Sequence, residues 1–336
     1  MTTYILGAGA SHHAGYPLTA ELGERLCDWV SHNRPEHYFL RASVDELHKI
    51  YGNLEDLERI LTELSDGPHY SPVASLDRAA RSRMLANVGY SIPEFFNDLR
   101  HSPAPLYDQF AQEQVRADDV VLTFNYDVAC ERALKNAGVW EIGDGYGFSL
   151  GIDQIPRSKM KILKLHGSTN WWGTMFNGLL EGCAQVGPNA LPFRPVIFFE
   201  KDFEFLSYSK HLRDPLCTRG SKAALHPALV MPILHKRFYS ETSSGGREWE
   251  EFWGDIWGQA GRALQSSARI VMIGYSMPAA DEDARQLLLT KCNKNAAITL
   301  VCGRRSAQIR SEFERAGFKN VRVFNGLFKE FLALSA

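Results

Sequence analysis

Short apolar runs that stop abruptly at a polar or glycine-rich turn constrain this chain more than any other feature. Tyr4-Ile5-Leu6 runs into Gly7-Ala8-Gly9, and Val120-Val121-Leu122-Thr123-Phe124 into Asn125-Tyr126-Asp127. Ile162-Leu163-Lys164-Leu165 runs into His166-Gly167-Ser168, and Arg269-Ile270-Val271-Met272-Ile273 into Gly274-Tyr275-Ser276. Runs that are apolar on both alternating faces suit strands covered on both sides, which is the condition of a parallel sheet. Val196-Ile197-Phe198-Phe199, Ala297-Ile298-Thr299-Leu300-Val301-Cys302 and the weaker Val321-Arg322-Val323-Phe324 read the same way. Open parallel sheets bind ligands just beyond the carboxyl ends of their strands, so these turns would meet at one edge.

Between the first two runs lies an insert of roughly a hundred residues, far longer than an ordinary crossover. Helical periodicity recurs in it at 18–30, 54–64, 76–88 and 105–115. The expected fold is therefore α/β: a Rossmann-like parallel sheet with helices on both faces. A helical insertion subdomain occupies 18–118 within a single domain spanning 1–336. Residues 170–191, rich in Gly, Asn and Trp, read as loops near the site, and 203–247 carries no assignable pattern.

Apolar residues at 45% and a formal charge of −2 allow a large core and supply no basic field for nucleic acid or anionic lipid. The six cysteines, at 27, 130, 183, 217, 292 and 302, form no Cys-x-x-Cys pair, which argues against a disulfide framework and a zinc ribbon. No bound metal is expected. Neither a secretory signal nor an apolar run of the ~20 residues needed to span a bilayer is evident, so a cytoplasmic protein is expected.

The first turn continues as Gly7-Ala8-Gly9-Ala10-Ser11-His12-His13-Ala14-Gly15-Tyr16-Pro17. Glycines after a strand let backbone approach a pyrophosphate closely. The dinucleotide fingerprint of hydride-transfer enzymes needs a third glycine where His12 stands, and the acidic residue some twenty positions on has no counterpart. In the second turn, Asn125 and Asp127 are either ligand contacts or caps of the helix beginning near Val128. His166 leaves a buried run at the ligand edge and precedes a glycine, unlike an ordinary core histidine. Trp171 and Trp172 read as core walls. In the fourth turn Gly274 permits close approach and Ser276 offers a hydroxyl. Asp281 suits either a ligand or the first turn of the next helix, where the dipole favours a carboxylate.

Taken in order, GAGAS…AGYP, TFNYD, LHGS and GYSMP…D resemble the sirtuin-like family, especially its bacterial branch of NAD⁺-consuming antiphage effectors. The motifs span Gly7 to Asp281. The resemblance implies that Gly7, Ala8, Gly9, Ala10 and Ser11 bind the NAD⁺ pyrophosphate and that His166 is the catalytic base. It sets Asn125 and Asp127 against the nicotinamide ribose and the nicotinamide. Gly274, Tyr275, Ser276 and Asp281 would complete the cofactor site, with Gly303 a further contact after the last strong strand. Protein-deacylating sirtuins differ: they carry a four-cysteine zinc module that these cysteines cannot build. They have Pro-Asp-Phe-Arg where this chain has Pro17-Leu18-Thr19-Ala20, and a Val-x-Pro peptide clamp where it has Met277-Pro278-Ala279-Ala280.

The expected activity is hydrolysis of NAD⁺, as substrate and without zinc, to nicotinamide and ADP-ribose in antiphage defence. A protein deacylase and a non-catalytic NAD or ADP-ribose sensor are the alternatives. Such a hydrolase needs restraint, and the chain leaves little length for a sensor domain. A homo-oligomer is therefore expected, or a regulatory partner such as the translocase-type ATPase or Argonaute-like protein that the resemblance suggests.

Overall fold

The computed structural model describes residues 1–32, 38–68, 70–148, 158–175, 196–197, 224–233 and 246–335. The chain divides into two compact units: Met1–Tyr16, Leu99–Gly167 and Trp253–Ala336 form one, Pro17–Asp98 and Ser168–Phe252 the other. Nine strands occur among the described residues: β1 Thr2–Leu6, β2 Val120–Thr123, β3 Lys161–Lys164, β4 Gly167–Met175, β5 Val196–Ile197, β6 Ala224–Leu229, β7 Arg269–Ile273, β8 Ala297–Val301 and β9 Val321–Val323.

The first unit is built on a six-stranded sheet in the order β3-β2-β1-β7-β8-β9, with every pair parallel. Counting only its own strands along the chain gives 3-2-1-4-5-6, the doubly wound Rossmann order. The fully buried runs explain it: Ile5, Leu6, Val121, Leu122, Ile162 and Ile270 to Ile273 have no exposed surface. Burying such side chains contributes about 1.5–3 kcal/mol each, and only strands covered on both faces use them all. Helices flank this sheet, among them Ala129–Asn136, Glu282–Lys291, Ser306–Arg315 and Phe328–Ser335. Residues 105–115 also belong to this unit, as a short helix, Pro105–Gln109, that widens into a π-helical turn, Phe110–Gln114. Tyr4 packs edge-on against Phe110 with centroids 4.9 Å apart and donates its hydroxyl to the Gln114 carbonyl at 3.0 Å.

Register fixes what the edge presents. Leu6 pairs with Thr123 and Ile273, Thr123 with Lys164, and Ile273 with Val301. The ladder runs one step further through Phe124 N–H to the Leu6 carbonyl, Leu165 N–H to Thr123, Gly7 N–H to Ile273 and Gly274 N–H to Val301. All four turns singled out in the sequence therefore leave one row of strand ends.

The second unit is helical, with Leu22–His32, Tyr38–Tyr51, Leu57–Asp66 and Arg78–Asp98 beside a small sheet ordered β5-β4-β6. Leu57–Asp66 shows why the pattern was readable: Leu57, Ile60, Leu61 and Leu64 form one buried stripe. The Asp56 carboxylate caps its start by accepting from Arg59 N–H, and left-handed Gly67 ends it. Two expectations need correction. The run beginning at Val196 is not a member of the parallel sheet, because Val196 and Ile197 pair antiparallel with Trp172 and Trp171. The expected loop from Asn170 begins instead as the last part of β4. Phe198 and Phe199, 176–191 and most of 203–247 lie outside the described residues.

Candidate functional site

The site lies in the sheet-bearing unit. Its β1 turn is a four-residue helix, Ala8–Ser11, entered from extended Gly7. Three of its amides are already committed: Gly7 N–H to Ile273, Gly9 N–H to the Gly274 carbonyl at 3.0 Å, and Ala10 N–H to Gly7 at 2.8 Å. A Cβ on Gly7 would lie 2.5 Å from Tyr275 Cα, and one on Gly9 would lie 2.9 Å from Gly274 Cα. Gly274 adopts φ +64°, and a Cβ there would sit 2.2 Å from the Ala10 nitrogen. These glycines thus form a backbone-on-backbone seam between the β1 and β7 turns, a packing need that exists before any phosphate is considered.

Asn125 sits across this turn. Its side-chain Nδ2 donates to the Gly7 carbonyl at 2.9 Å and to Ser11 Oγ at 3.0 Å, while its own N–H reaches Thr123 Oγ1 at 3.1 Å. Ser11 is buried, with Oγ also 2.8 Å from the Tyr107 hydroxyl. With both amide protons committed, the side chain turns its carbonyl oxygen, an acceptor, to any further partner. Next to Ser11, Nδ1 of His13 lies 2.8 Å from the Ala10 carbonyl, and the ring packs on Tyr107 and Phe328. Burial pushes the His13 imidazole below its usual range, against the pull of the Ala10 and Ala104 carbonyls.

Asp127 is buried, and its Oδ1 accepts the Ala129 N–H at 3.0 Å, a turn bond just ahead of the helix, whose N-cap residue is Val128. Beneath it lies a pair that the sequence reading did not single out. Lys164 Nζ donates to the Asp127 carbonyl and to Glu131 Oε1, the latter at 2.6 Å, and both side chains are sealed from solvent. Burial drives the Glu131 carboxyl upward, with the Lys164 ammonium opposing it. A lysine inside an apolar run was the available signal, but nothing local identified its partner on the following helix.

His166 is 5% exposed and lies against both chain neighbours of Asn125, with ring centroids 5.1 Å from Phe124 and 6.5 Å from Tyr126. Its Nε2 lies 3.1 Å from Asp281 Oδ1. The other Asp281 oxygen, Oδ2, accepts the Tyr275 hydroxyl at 2.7 Å, and the Tyr275 ring stacks on Phe124 at 4.2 Å. Phe124, His166, Asp281 and Tyr275 thereby close a ring of contacts across three strand ends. Asp281 stands at the N-cap of Glu282–Lys291, yet its side chain makes no capping bond. Met277 within this turn is a buried non-glycine residue at φ 46°. Its carbonyl accepts from Arg285, whose guanidinium also pairs with Glu312 at 2.8 Å. Ser276 is exposed, and Gly303 follows β8, one strand further from β1.

The structure thus gathers Gly7, Ala8, Gly9, Ala10, Ser11, Asn125, Gly274 and Tyr275 around the seam, and His166 with Asp281 and Tyr275 beside it. Among the described residues no three His, Cys, Asp or Glu side chains are grouped to hold a metal ion, and no helix is long and apolar enough to cross a membrane.

No family model and no curated protein matches the chain. Among solved structures it is similar to a Sir2 enzyme with a p53 peptide and NAD⁺, at 14% identity and a TM-score of 0.41, covering 99% of this chain and 91% of that one. A second is described by the mechanism and regulation of Sir2 enzymes, at 16% identity and a TM-score of 0.43, covering 99% and 90%. Likeness this loose transfers no residue's role.

Proposed function

We propose that this protein cleaves NAD⁺ between nicotinamide and ribose, releasing nicotinamide and ADP-ribose. The observation that carries the reading is the shared row of strand ends, where the His166 ring lies on both neighbours of Asn125. The ordered sequence motifs supply the ligand class. Breaking this bond develops oxocarbenium character on the sugar while the pyridine leaves as a neutral base. Positioning and charge stabilisation therefore matter more than acid catalysis.

In this reading His166 accepts a proton from a ribose hydroxyl or the attacking water. The Asn125 carbonyl oxygen holds that hydroxyl or water in line, since its Nδ2 is occupied by Gly7 and Ser11. Asp127 acts through the turn, fixing the Ala129 amide and with it the loop that carries Asn125. The β1 turn, Ser276 and Gly303 bind the rest of the dinucleotide.

Purified protein is incubated with NAD⁺ and products are identified by mass spectrometry. Wild type should yield nicotinamide and ADP-ribose, and His166→Ala or Asn125→Ala should lower the rate about 10²–10⁴-fold. Variants as fast as wild type would overturn the assignment. Transfer of an acetyl group from an acetyl-lysine peptide would instead identify a deacylase, and binding without turnover a sensor. The motif resemblance further supports cytoplasmic antiphage defence by NAD⁺ depletion, restrained by self-assembly or by a translocase-type ATPase or Argonaute-like partner. A constitutively active monomer in size-exclusion chromatography would overturn that part.

A further inference from the structure

We infer that Asp281, backed by the Tyr275 hydroxyl, is a positioning residue that fixes the tautomer and orientation of the His166 imidazole. This deepens the hydrolase reading and rests on it for its catalytic meaning. The sequence offered two roles for Asp281, ligand contact and helix-start charge. Its side chain makes no capping bond, and the two carboxylate oxygens face His166 Nε2 at 3.1 Å and the Tyr275 hydroxyl at 2.7 Å.

The chemistry follows from what each atom can do. An ionised carboxylate only accepts, so an imidazole nitrogen held against it carries the proton. With hydrogen on Nε2, the lone pair resides on Nδ1, which becomes the basic nitrogen. As that nitrogen takes up a proton, the Asp281 carboxylate stabilises the imidazolium at short range in a water-poor setting, where charge interactions are strong. The Tyr275 hydroxyl, donating to Oδ2, restrains the carboxylate from rotating away. Stacking of Tyr275 on Phe124, itself against His166, ties the three side chains to the same strand ends. A histidine base oriented by a carboxylate recurs on unrelated folds, and replacing that carboxylate by its amide strands the ring in the wrong tautomer.

Asp281→Asn keeps the shape and removes the charge, and Tyr275→Phe keeps the stack and removes the donor. With ¹⁵N-histidine labelling, the His166 signal is assigned by its loss in His166→Gln. Wild type should show neutral His166 protonated on Nε2, and Asp281→Asn should move the proton to Nδ1. In NAD⁺ turnover Asp281→Asn should lower kcat about 10²–10⁴-fold with KM nearly unchanged, and Tyr275→Phe should lower it about tenfold or less. Unchanged ring signals in Asp281→Asn overturn the inference whatever the activity. If that variant does not fold, Asp281→Ser, which also removes the carboxylate, is measured in its place, and unchanged ring signals there overturn the inference equally. A wild type with no NAD⁺ turnover whose ring still switches tautomer in Asp281→Asn sinks the hydrolase reading and supports the positioning.

Discussion

The two flanks of β1 solve the same problem by opposite means. Toward β7 the chain closes the sheet edge by omitting side chains, so that Gly7, Gly9 and Gly274 bring backbone against backbone. Toward β2 and β3 it closes the edge by inserting polar side chains: Asn125 onto Gly7 and Ser11, and Lys164 onto Glu131 and the Asp127 carbonyl. A glycine-rich turn after a strand is commonly read as a phosphate cradle, and here the first claim on those glycines is the neighbouring turn. The groups able to move a proton stand on the other flank or, like Asp281, reach across to it.

The polar flank should break hardest. Lys164→Met leaves Glu131 buried without its cation and should cost about 3–5 kcal/mol in urea denaturation, whereas Lys164→Met with Glu131→Leu should recover most of the loss. Next comes the seam: Gly274→Ala meets the Ala10 nitrogen as well as an unfavourable φ, and about 3 kcal/mol is expected. Gly138 has a similar φ of +69° with open space around it, so Gly138→Ala should cost only about 1 kcal/mol. Equal losses at the two positions would show that the turns do not need their close approach.

Ser11→Ala removes the hydroxyl shared by Asn125 and Tyr107 and should cost about 1–2 kcal/mol in urea denaturation, and without urea, where the variant is folded, its NAD⁺ turnover should still fall. The smallest effect concerns pH. His13 is depressed below its ordinary value of 6.5 by burial, so its neutral form stabilises the fold above that value. This contribution is lost as pH falls below 6.5 and through the lower folded value, because the unfolded chain then binds more protons. Denaturation midpoints at about pH 7.5 and 5.5 should converge in His13→Leu relative to wild type.

Much of the sheet was legible because strands buried on both faces cannot hide their composition. Six of the seven apolar runs are its strands, and their abrupt ends gave the row of tips. The run Val196-Ile197-Phe198-Phe199 misled for the same reason, since so short an apolar run carries no information about which sheet pairs with it. The helix Tyr38–Tyr51 went unread, its apolar residues being interleaved with His48, Lys49 and other polar side chains. At the site, Asn125, His166, Gly274 and Asp281 could be named from their place after strands, but not connected. The Lys164–Glu131 pair and the His166–Asp281–Tyr275 chain join residues far apart in sequence, and only the register of the sheet brings them together.

The central position of β1 also sets the timetable of assembly. Leu6 pairs on one side with a strand that follows the long helical insert and on the other with Ile273, much further along the chain. At about 5–20 residues per second of synthesis, the first strand emerges on the order of ten to fifty seconds before its second neighbour exists. Throughout that interval the nascent polypeptide carries an apolar ribbon with an open hydrogen-bonding edge, so the ribosome-bound chain should be most exposed to self-association until Arg269–Ile273 has emerged.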